Sequence, residues 1–274
     1  MNVKIPNSRR NLDIAVNRIM SGDINPIQIR TVIANTVIGQ MLPKGTVKGG
    51  CALKFRYGNK TTRFTRDFDS ARTDDLDSFI SELEEALHIG WNNFTGRVVR
   101  LDPAKPKGIP GEYIMQPFEI KLSYNGKSWV TVPFEVGHDE IGDTSNPEYL
   151  LFEDIVSIFI ALGFPKPLPI ALMRIPHQIA QKLHALSIEN SERAHDLIDL
   201  QIITNNEAID YLQTKIICRR LFDFRKQQSW PPIICMKTGW DTLYSSQTYG
   251  LDVLPKIDDA IVWANNLINK IENN

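Results

Sequence analysis

Residues 46–58, TVKGGCALKFRYG, predict a short strand, a glycine turn and a helix in immediate succession. The composition of residues 46–48 favours the strand, and residues 51–57 have the pattern of a helix that Gly58 ends. Because Gly49 and Gly50 lack side chains, backbone N–H groups and the N-terminus of the helix can approach a phosphate there. A Gly-Gly pair alone is more often only a tight turn, and the segment has neither the ending of a P-loop nor the spacing of a Rossmann fingerprint.

The next predicted strand carries two carboxylates. It covers residues 64–71 and includes most of RFTRDFD, residues 63–69. Side chains alternate along a strand, so Asp67 and Asp69 project from one side, about 6–7 Å apart, while Phe68 points into the core. Two such carboxylates can share divalent cations that bridge triphosphate oxygens. The alternative is an exposed strand face without a metal.

Charges are segregated along the chain around this carboxylate pair. Between Asp23 and Asp67 there is no acidic residue, and eight Lys and Arg side chains lie in that interval. From Asp67 to Glu85 eight acidic residues follow, offset only by Arg72. This change from basic to acidic suits a site that binds both a polyanion and its metal ions.

A lysine and two aspartates form a second candidate group in the C-terminal half. In QIAQKLHAL, residues 178–186, Lys182 rises from the edge of an apolar helical stripe, and a half-buried lysine requires an anion. In RAHDLIDL, residues 193–200, Asp196 and Asp199 lie on a partly apolar helix face, where they need Lys182, Arg193 or a metal as a partner. The residues alone leave two interpretations open, a substrate-binding site and a structural ion-pair network between two helices.

Together these motifs resemble those of a known family. KGGCAL, residues 48–53, and RFTRDFD, residues 63–69, are similar to the G-G-x-A-L and R-x-[ST]-x-D-x-D signature of the AbiEii/AbiGii nucleotidyltransferase toxins. These toxins are the enzymes of type IV toxin–antitoxin pairs, are related to the MenT toxins and belong to the polymerase β-like nucleotidyltransferase superfamily. The two C-terminal segments are similar to the family's K-L-x-A-L and R-x-x-D-x-x-D-L motifs, and the motifs occur in the expected order.

The resemblance implies a nucleotidyltransferase that depends on Mg²⁺ or Mn²⁺. A hydroxyl would attack the α-phosphorus of a nucleoside triphosphate (NTP) and release pyrophosphate. The implied catalytic residues are Asp67, Asp69, Lys182 and Asp196. Asp67 and Asp69 would bind the metal, Lys182 would contact the nucleotide phosphates, and Asp196 would complete the site, with Asp199 structural. The residues expected to assist nucleotide binding are Gly49, Gly50, Arg63, Thr65 and Arg66.

The resemblance also implies partners. It predicts an RNA acceptor, the 3′ end of tRNA, with growth arrest as the consequence, and a cognate antitoxin that forms no stable complex with the chain. One alternative is nucleotidyl transfer to a small molecule or a protein hydroxyl. The other is a nucleotide-binding protein without catalytic activity.

One position departs from the superfamily pattern. Polymerase β-like enzymes often place a third carboxylate on a neighbouring strand, and the apparent counterpart here, residues 118–123, has Lys121 where an aspartate is expected. Glu119 lies on the same strand face and is a candidate substitute, but such a residue is more often an exposed hairpin glutamate. This departure leaves open one-metal catalysis, or a second metal that arrives only with the nucleotide.

Composition and patterning predict a mixed α+β protein. The 274 residues are 42% hydrophobic and 23% charged with a net charge of −1, which excludes disorder and a uniformly basic nucleic-acid coat. We expect a polymerase β-like core with N-terminal helices over residues 1–167, including a hairpin at Asn125-Gly126, and a helical domain over residues 168–274 that completes the active site. Three isolated cysteines and the lack of an apolar leader or spanning segment indicate a cytoplasmic protein without membrane contact.

A helix predicted from about residue 207 to residue 227 offers a candidate RNA-docking surface. Lys215, Arg219, Phe222 and Lys226 follow a spacing that aligns three cations and one aromatic ring along one face. Such a face can follow phosphates and stack on an unpaired base. The alternative is a solvated helix face with Phe222 turned to the core.

Overall fold

The computed structural model describes residues 4–19, 26–103 and 115–274. The chain divides into two compact units, and each unit is built from several segments. The first unit comprises residues 1–59, 64–139 and 147–172 as far as they are described, and the second comprises residues 60–63, 140–146 and 173–274. The division into domains 1–167 and 168–274 stays a prediction.

A mixed sheet forms the centre of the first unit. The strands in the described residues are β1 (Gly45–Lys48), β2 (Phe68–Arg72), β3 (Phe94–Arg100), β4 (Gln116–Tyr124), β5 (Lys127–His138), β6 (Glu148–Leu150) and β7 (Ile170–Leu172). Their order across the sheet is β3-β4-β5-β2-β1-β7-β6. The β2–β5 and β1–β7 pairs are parallel, and the other neighbours are antiparallel. The predicted hairpin is confirmed, because Asn125 and Gly126 connect β4 to β5 with φ of 47° and 70°, as a type I′ turn requires.

Helices cover the apolar side of this sheet. The helices of the first unit are α1 (Arg9–Ile19), α2 (Pro26–Met41), α3 (Gly49–Tyr57), α4 (Leu76–Ile89) and α5 (Glu153–Ala161). The core joins alternate strand residues such as Val47, Phe68 and Phe134 to helix residues such as Phe55 and Phe79. At the start of α4, the Asp75 carboxylate accepts hydrogen bonds from the N–H groups of residues 77 and 78, at 2.9 and 3.2 Å.

The second unit is helical apart from its connecting segments. Its described helices are α6 (Ile175–Ser187), α7 (His195–Asn206), α8 (Tyr211–Arg225), α9 (Trp240–Ser245) and α10 (Ile257–Asn273). The last helix shows why they pack, since its buried residues recur every three or four positions, at Ile257, Ile261, Ala264, Ile268 and Ile271. The predicted mixed α+β class is confirmed by these elements.

Within the described ranges, no helix combines the length and the apolar character that crossing a membrane requires.

Candidate active site

Asp67 and Asp69 flank Phe68 at the start of β2. The strand begins at Phe68, so the prediction of a strand from residue 64 is wrong for residues 64–67. The reason is that β1 ends at Lys48, opposite Asp69, which leaves the earlier residues without that partner strand. Phe68 is fully buried and packs its ring 5.7 Å from that of Phe134, as the alternation predicts. Asp67 is exposed and Asp69 is half-buried.

Gly49 brings the Asp69 carboxylate against the N-terminus of α3. The φ of Gly49 is +64°, and a Cβ at this position would lie 2.1 Å from Oδ2 of Asp69. Only glycine meets both conditions. The N-cap residue Lys48 makes no side-chain hydrogen bond to the helix, so its side chain does not occupy the first N–H groups of α3. The glycine turn and the D-x-D motif are therefore neighbours in space.

The charges of both carboxylates affect the pKa of the Cys51 thiol, which lies in the first turn of α3. Burial raises the pKa of Cys51, and the negative charges of Asp69 and, more weakly, Asp67 raise it further. The thiol is therefore protonated and unsuited to be a nucleophile. Because Cys51 lies in the first turn of α3, these effects show that Asp67 and Asp69 are near the N-terminus of that helix. The helix dipole stabilises an anion there.

Strand β2 lies between β1 and β5 in the sheet. The expectation that the segment with Lys121 is the neighbouring strand is therefore wrong. Lys121 lies on β4, one strand further away, and its ammonium is 3.3 Å from the Glu119 carboxylate. In the β2–β5 pair, Asp69 lies opposite Glu135, so the two side chains share one face of the sheet. Glu135 is the acid that sequence reasoning missed. A parallel pairing between distant segments leaves no local signal in the sequence.

The carboxylate pair suits a Mg²⁺ ion that is completed by substrate. Among the described residues, no three His, Cys, Asp or Glu side chains converge as a ready-made metal site. Mg²⁺ is commonly held by one or two carboxylates together with waters and substrate phosphates. Asp67 and Asp69 supply that number of oxygen donors beside an uncapped helix N-terminus. The donor set therefore fits the expected ion.

In the second unit, Lys182 lies at the centre of a buried ion-pair network. Its Nζ donates to Asp196 Oδ1 at 2.8 Å and to Asp199 Oδ2 at 2.6 Å. Arg63 binds Asp199 with two hydrogen bonds, at 2.8 and 2.9 Å, and Arg193 donates from Nε to Asp196 at 3.0 Å. This geometry is the ion-pair network that the sequence left open as one interpretation, and it ties α6 to α7.

The network carries an excess of positive charge. Burial alone would raise the pKa of Asp196, but Lys182 and then Arg193 hold it far below its ordinary value, so the group is ionised. Asp199 is likewise held low, mainly by Arg63 and Lys182 against the effect of burial. Burial lowers the pKa of the adjacent His195 to about 4, so that ring is neutral at pH 7. Two carboxylates thus face three cations.

The remaining predicted binding residues are divided between the two units. Arg63 belongs to the second unit, within the Lys182 network, whereas Thr65 and Arg66 belong to the first. Arg66 is exposed, with its guanidinium 5.8 Å from the centre of the Phe64 ring. The structure therefore gathers Gly49, Gly50, Asp67 and Asp69 around the α3 N-terminus, and gathers Arg63, Lys182 and Asp196 in the network.

The predicted RNA-docking face on α8 is wrong in its central residue. Phe222 is buried, and its ring packs 4.9 Å from that of His184 and 5.3 Å from that of Trp230. Lys215 and Arg219 both pair with Glu272 on α10, which offsets their charge. The aromatic residue belongs to the core because α8 packs against α6, so its ring is not available to stack on an unpaired base.

The chain is similar to known proteins over most of its length. The family model described as nucleotidyl transferase AbiEii toxin, type IV toxin–antitoxin system, matches residues 39–260. The structure is similar to MenT4, a nucleotidyltransferase toxin from Mycobacterium tuberculosis, with a TM-score of 0.57 and 16% identity over 97% of this chain and 98% of that one. JHP933 from Helicobacter pylori matches with a TM-score of 0.45 and 15% identity over 90% of this chain and 91% of that one. No protein of curated function matches the sequence.

The family match extends from before β1 to within α10 and so includes both groups of motifs. The likeness to MenT4 shows that the fold is shared. The chain therefore belongs to the AbiEii family of nucleotidyltransferase toxins of type IV toxin–antitoxin systems.

Proposed function

We propose that this nucleotidyltransferase transfers a nucleotide from an NTP to the 3′ end of tRNA, with Asp67 and Asp69 as its metal-binding carboxylates. The acceptor hydroxyl would form a bond to the α-phosphorus as the bond to the departing pyrophosphate breaks. The observation that carries the proposal is the placement of Asp69 against Gly49, beside the uncapped N-terminus of α3. The N-terminus of α3 can then bind the phosphates of a triphosphate, and the Asp67 and Asp69 carboxylates can bind its metal ion.

The metal would be Mg²⁺ or Mn²⁺, held by Asp67 and Asp69. When bound, it would offset charge on the phosphate oxygens and lower the barrier to attack by the hydroxyl. The chain's own contribution is to hold the two carboxylates still. Phe68, locked between Phe55 and Phe134, fixes the backbone between them. Gly49 leaves the space that the Asp69 carboxylate occupies.

The first N–H groups of α3 would orient the triphosphate, and Thr65 and Arg66 are proposed to assist from the segment before β2. Family membership supports places for Lys182 and Asp196 in the same reaction. Because Lys182 is shared by two carboxylates, we propose that it acts through the positive charge of the whole network rather than as a separate ammonium. Arg63 supports that charge through Asp199.

The proposed acceptor and its consequence rest on the family. A toxin that adds nucleotides to the 3′ end of tRNA would block aminoacylation and arrest growth. The antitoxin of such a pair would counteract the toxin without forming a stable complex with it. A cytoplasmic location follows from this substrate.

The experiment is a labelling assay with defined acceptors. Purified protein, Mg²⁺ and each of the four α-labelled NTPs would be incubated with total RNA, then with purified tRNA whose 3′ diol is either intact or oxidised by periodate. We expect label in the tRNA band with one or more NTPs, and its loss when the diol is oxidised. EDTA should abolish it.

Each other outcome contradicts part of the proposal. Label in an RNA other than tRNA would exclude tRNA as the acceptor, and label that persists in oxidised tRNA would exclude its 3′ end. Label in a protein or small molecule would favour the alternative acceptors. Binding of NTP without transfer to any acceptor would indicate a catalytically silent protein.

A further inference from the structure

Lys48 is a largely buried lysine that the proposed mechanism does not use. It is the last residue of β1 and the residue before Gly49, and it is only 9% exposed. In the described part of the chain, its ammonium has neither a hydrogen bond nor an ion pair. An ammonium that is held in one place without a charge partner is available to act on the groups around it.

The sheet register places Lys48 beside two carboxylates. Lys48 lies opposite Asp69 in the β1–β2 pair, and Asp69 lies opposite Glu135 in the β2–β5 pair. Residues that are paired in register share one face of a sheet, so the three side chains form a row on the same face. Neighbouring strands are about 4.8 Å apart, which puts one cation and two anions within a short span.

The Lys48 side chain extends across β2 towards Gly137 of β5. A Cβ at position 137 would lie 3.0 Å from Nζ and 3.8 Å from Cε of Lys48. Gly137 is not among the residues with positive φ, so its backbone does not require glycine. What the missing side chain provides is space for the end of Lys48.

This direction decides what the ammonium can act on. Gly137 pairs with Ala71, two residues further along β2 than Asp69. Asp67 and the N-terminus of α3 lie at the opposite end, where β2 begins. The Asp69 and Glu135 carboxylates therefore lie between the Lys48 ammonium and the place proposed for the triphosphate. It is better placed to influence the carboxylates than to contact a phosphate.

We propose that Lys48 is a positioning residue, a fixed positive charge that weakens the binding of divalent cations by Asp69 when no nucleotide is present. A cation near a metal site repels the metal and offsets part of the charge of its carboxylate ligands. The site then takes up its ion together with the triphosphate, whose own negative charge compensates for Lys48. This inference rests on the proposed metal role of Asp69.

The test is a titration of nucleotide-free protein with Mn²⁺, followed by electron paramagnetic resonance of the free ion. Lys48→Met keeps the length of the side chain and removes its charge, and we expect it to bind Mn²⁺ about tenfold more tightly than the unmodified chain. Lys48→Arg should restore weak binding. Lys44→Met is the matched control, because it removes an exposed charge four residues earlier and should leave the affinity unchanged.

A second variant tests the same inference if Lys48→Met does not fold. In Gly137→Ala the new methyl group meets the ammonium and moves it while the lysine stays charged. We expect a change in Mn²⁺ affinity without a change in net charge. Circular dichroism and thermal melting would establish that both variants are folded.

Separate outcomes distinguish this inference from the proposed function. If Asp69→Asn removes Mn²⁺ binding but both Lys48→Met and Gly137→Ala bind Mn²⁺ as the unmodified chain does, the inference about Lys48 is wrong and the metal assignment stands. If Asp69→Asn leaves Mn²⁺ binding unchanged, the metal assignment itself fails. If Lys48→Met leaves the Mn²⁺ affinity unchanged and weakens binding of an α,β-methylene NTP analogue, Lys48 is a phosphate ligand and the proposal is overturned.

Discussion

Single residues determine the chemistry available at the two groups of motifs. Phe68 turns Asp67 and Asp69 away from the core because its own ring is held among Phe55 and Phe134. Lys182 has the opposite surroundings, since its ammonium is enclosed by the carboxylates of Asp196 and Asp199. The first arrangement holds two carboxylates near the N-terminus of α3, whereas the second neutralises two carboxylates within the protein.

Removal of the Lys182 charge should therefore destabilise the fold. Lys182→Ala leaves two buried carboxylates with less compensation, and breaking a buried ion pair on one side typically costs about 3–5 kcal/mol. We expect a large loss in the free energy of unfolding, measured by urea denaturation. Lys270→Ala removes an exposed lysine from α10 and should change that free energy by less than about 0.5 kcal/mol.

A further substitution separates charge from packing in this network. Lys182→Met retains most of the side-chain volume and still removes the charge. If it were as stable as the unmodified chain, the ion pairs would contribute little, and the effect of Lys182→Ala would have to come from lost packing.

At the scale of secondary structure, the first residue of α3 must adopt a positive φ and must also lack a side chain. Gly49 needs positive φ, and its missing side chain leaves room for Asp69. Gly126 offers a matched comparison, because its φ is +70° and nothing lies within 4 Å of a Cβ built there. One glycine is required by conformation and space, and the other by conformation alone.

Alanine substitution should separate these two requirements. Gly126→Ala is expected to cost about 1 kcal/mol of stability from backbone strain and to leave transferase activity unchanged. Gly49→Ala carries the same strain and also displaces the Asp69 carboxylate, so activity should fall at least about tenfold. Melting temperatures and initial transfer rates measure both effects. Equal activity of the two variants would show that the contact between Gly49 and Asp69 has no role in the reaction.

The packing of α6 against α8 makes stability depend on pH. His184 on α6 lies against Phe222, and its Nδ1 is 3.1 Å from Nη1 of Arg225, which itself pairs with Glu140. Burial, assisted by the Arg225 charge, lowers the pKa of His184 to about 3 from an ordinary 6.5. Below pH 6.5 the unfolded chain therefore binds a proton that the folded chain does not.

We expect the free energy of unfolding to fall as the pH is lowered from 6.5 towards 4. The contribution of His184 reaches at most about 1.4 kcal/mol per pH unit, and His195 adds a similar one because its pKa is also depressed. Urea denaturation at pH 7, 6 and 5 measures the slope, in a range above the titration of the aspartates. His184→Gln should reduce the slope by the amount that uptake of about one proton on unfolding contributes. His88→Gln, on the exposed side of α4, should leave the slope unchanged. An unchanged slope in His184→Gln would contradict a buried, neutral His184.

At the scale of the whole molecule, local patterns in the sequence predicted the elements better than their long-range neighbours. The glycine turn and the Asn125-Gly126 hairpin depend on a few adjacent residues and are confirmed. The pairing of β2 with β5 depends on segments about sixty residues apart, and the interpretation of Lys121 was wrong because it assumed a different neighbour.

The site was predictable to the same extent. The family resemblance assigned Gly49 and Asp69 to one site, and the antiparallel pairing of β1 with β2, with Lys48 opposite Asp69, brings the two residues together. By contrast, spacing alone does not reveal which face of an amphipathic helix is covered, and Phe222 proved to be buried. Arg63 and Arg66 are three residues apart and belong to different compact units, which no local pattern predicts.

The most direct test of the central claim, that Asp67 and Asp69 carry nucleotidyl transfer, is the single-turnover transfer rate of three aspartate variants on tRNA. Asp67→Asn and Asp69→Asn each remove a proposed metal ligand, whereas Asp77→Asn changes an aspartate of α4 whose side chain is 84% exposed. Loss of a metal ligand forfeits several kcal/mol of charge stabilisation, so the first two should transfer at least about 100-fold more slowly, with unchanged melting temperatures. Asp77→Asn should transfer at the rate of the unmodified chain. Transfer at near that rate by folded Asp67→Asn or Asp69→Asn would contradict the account.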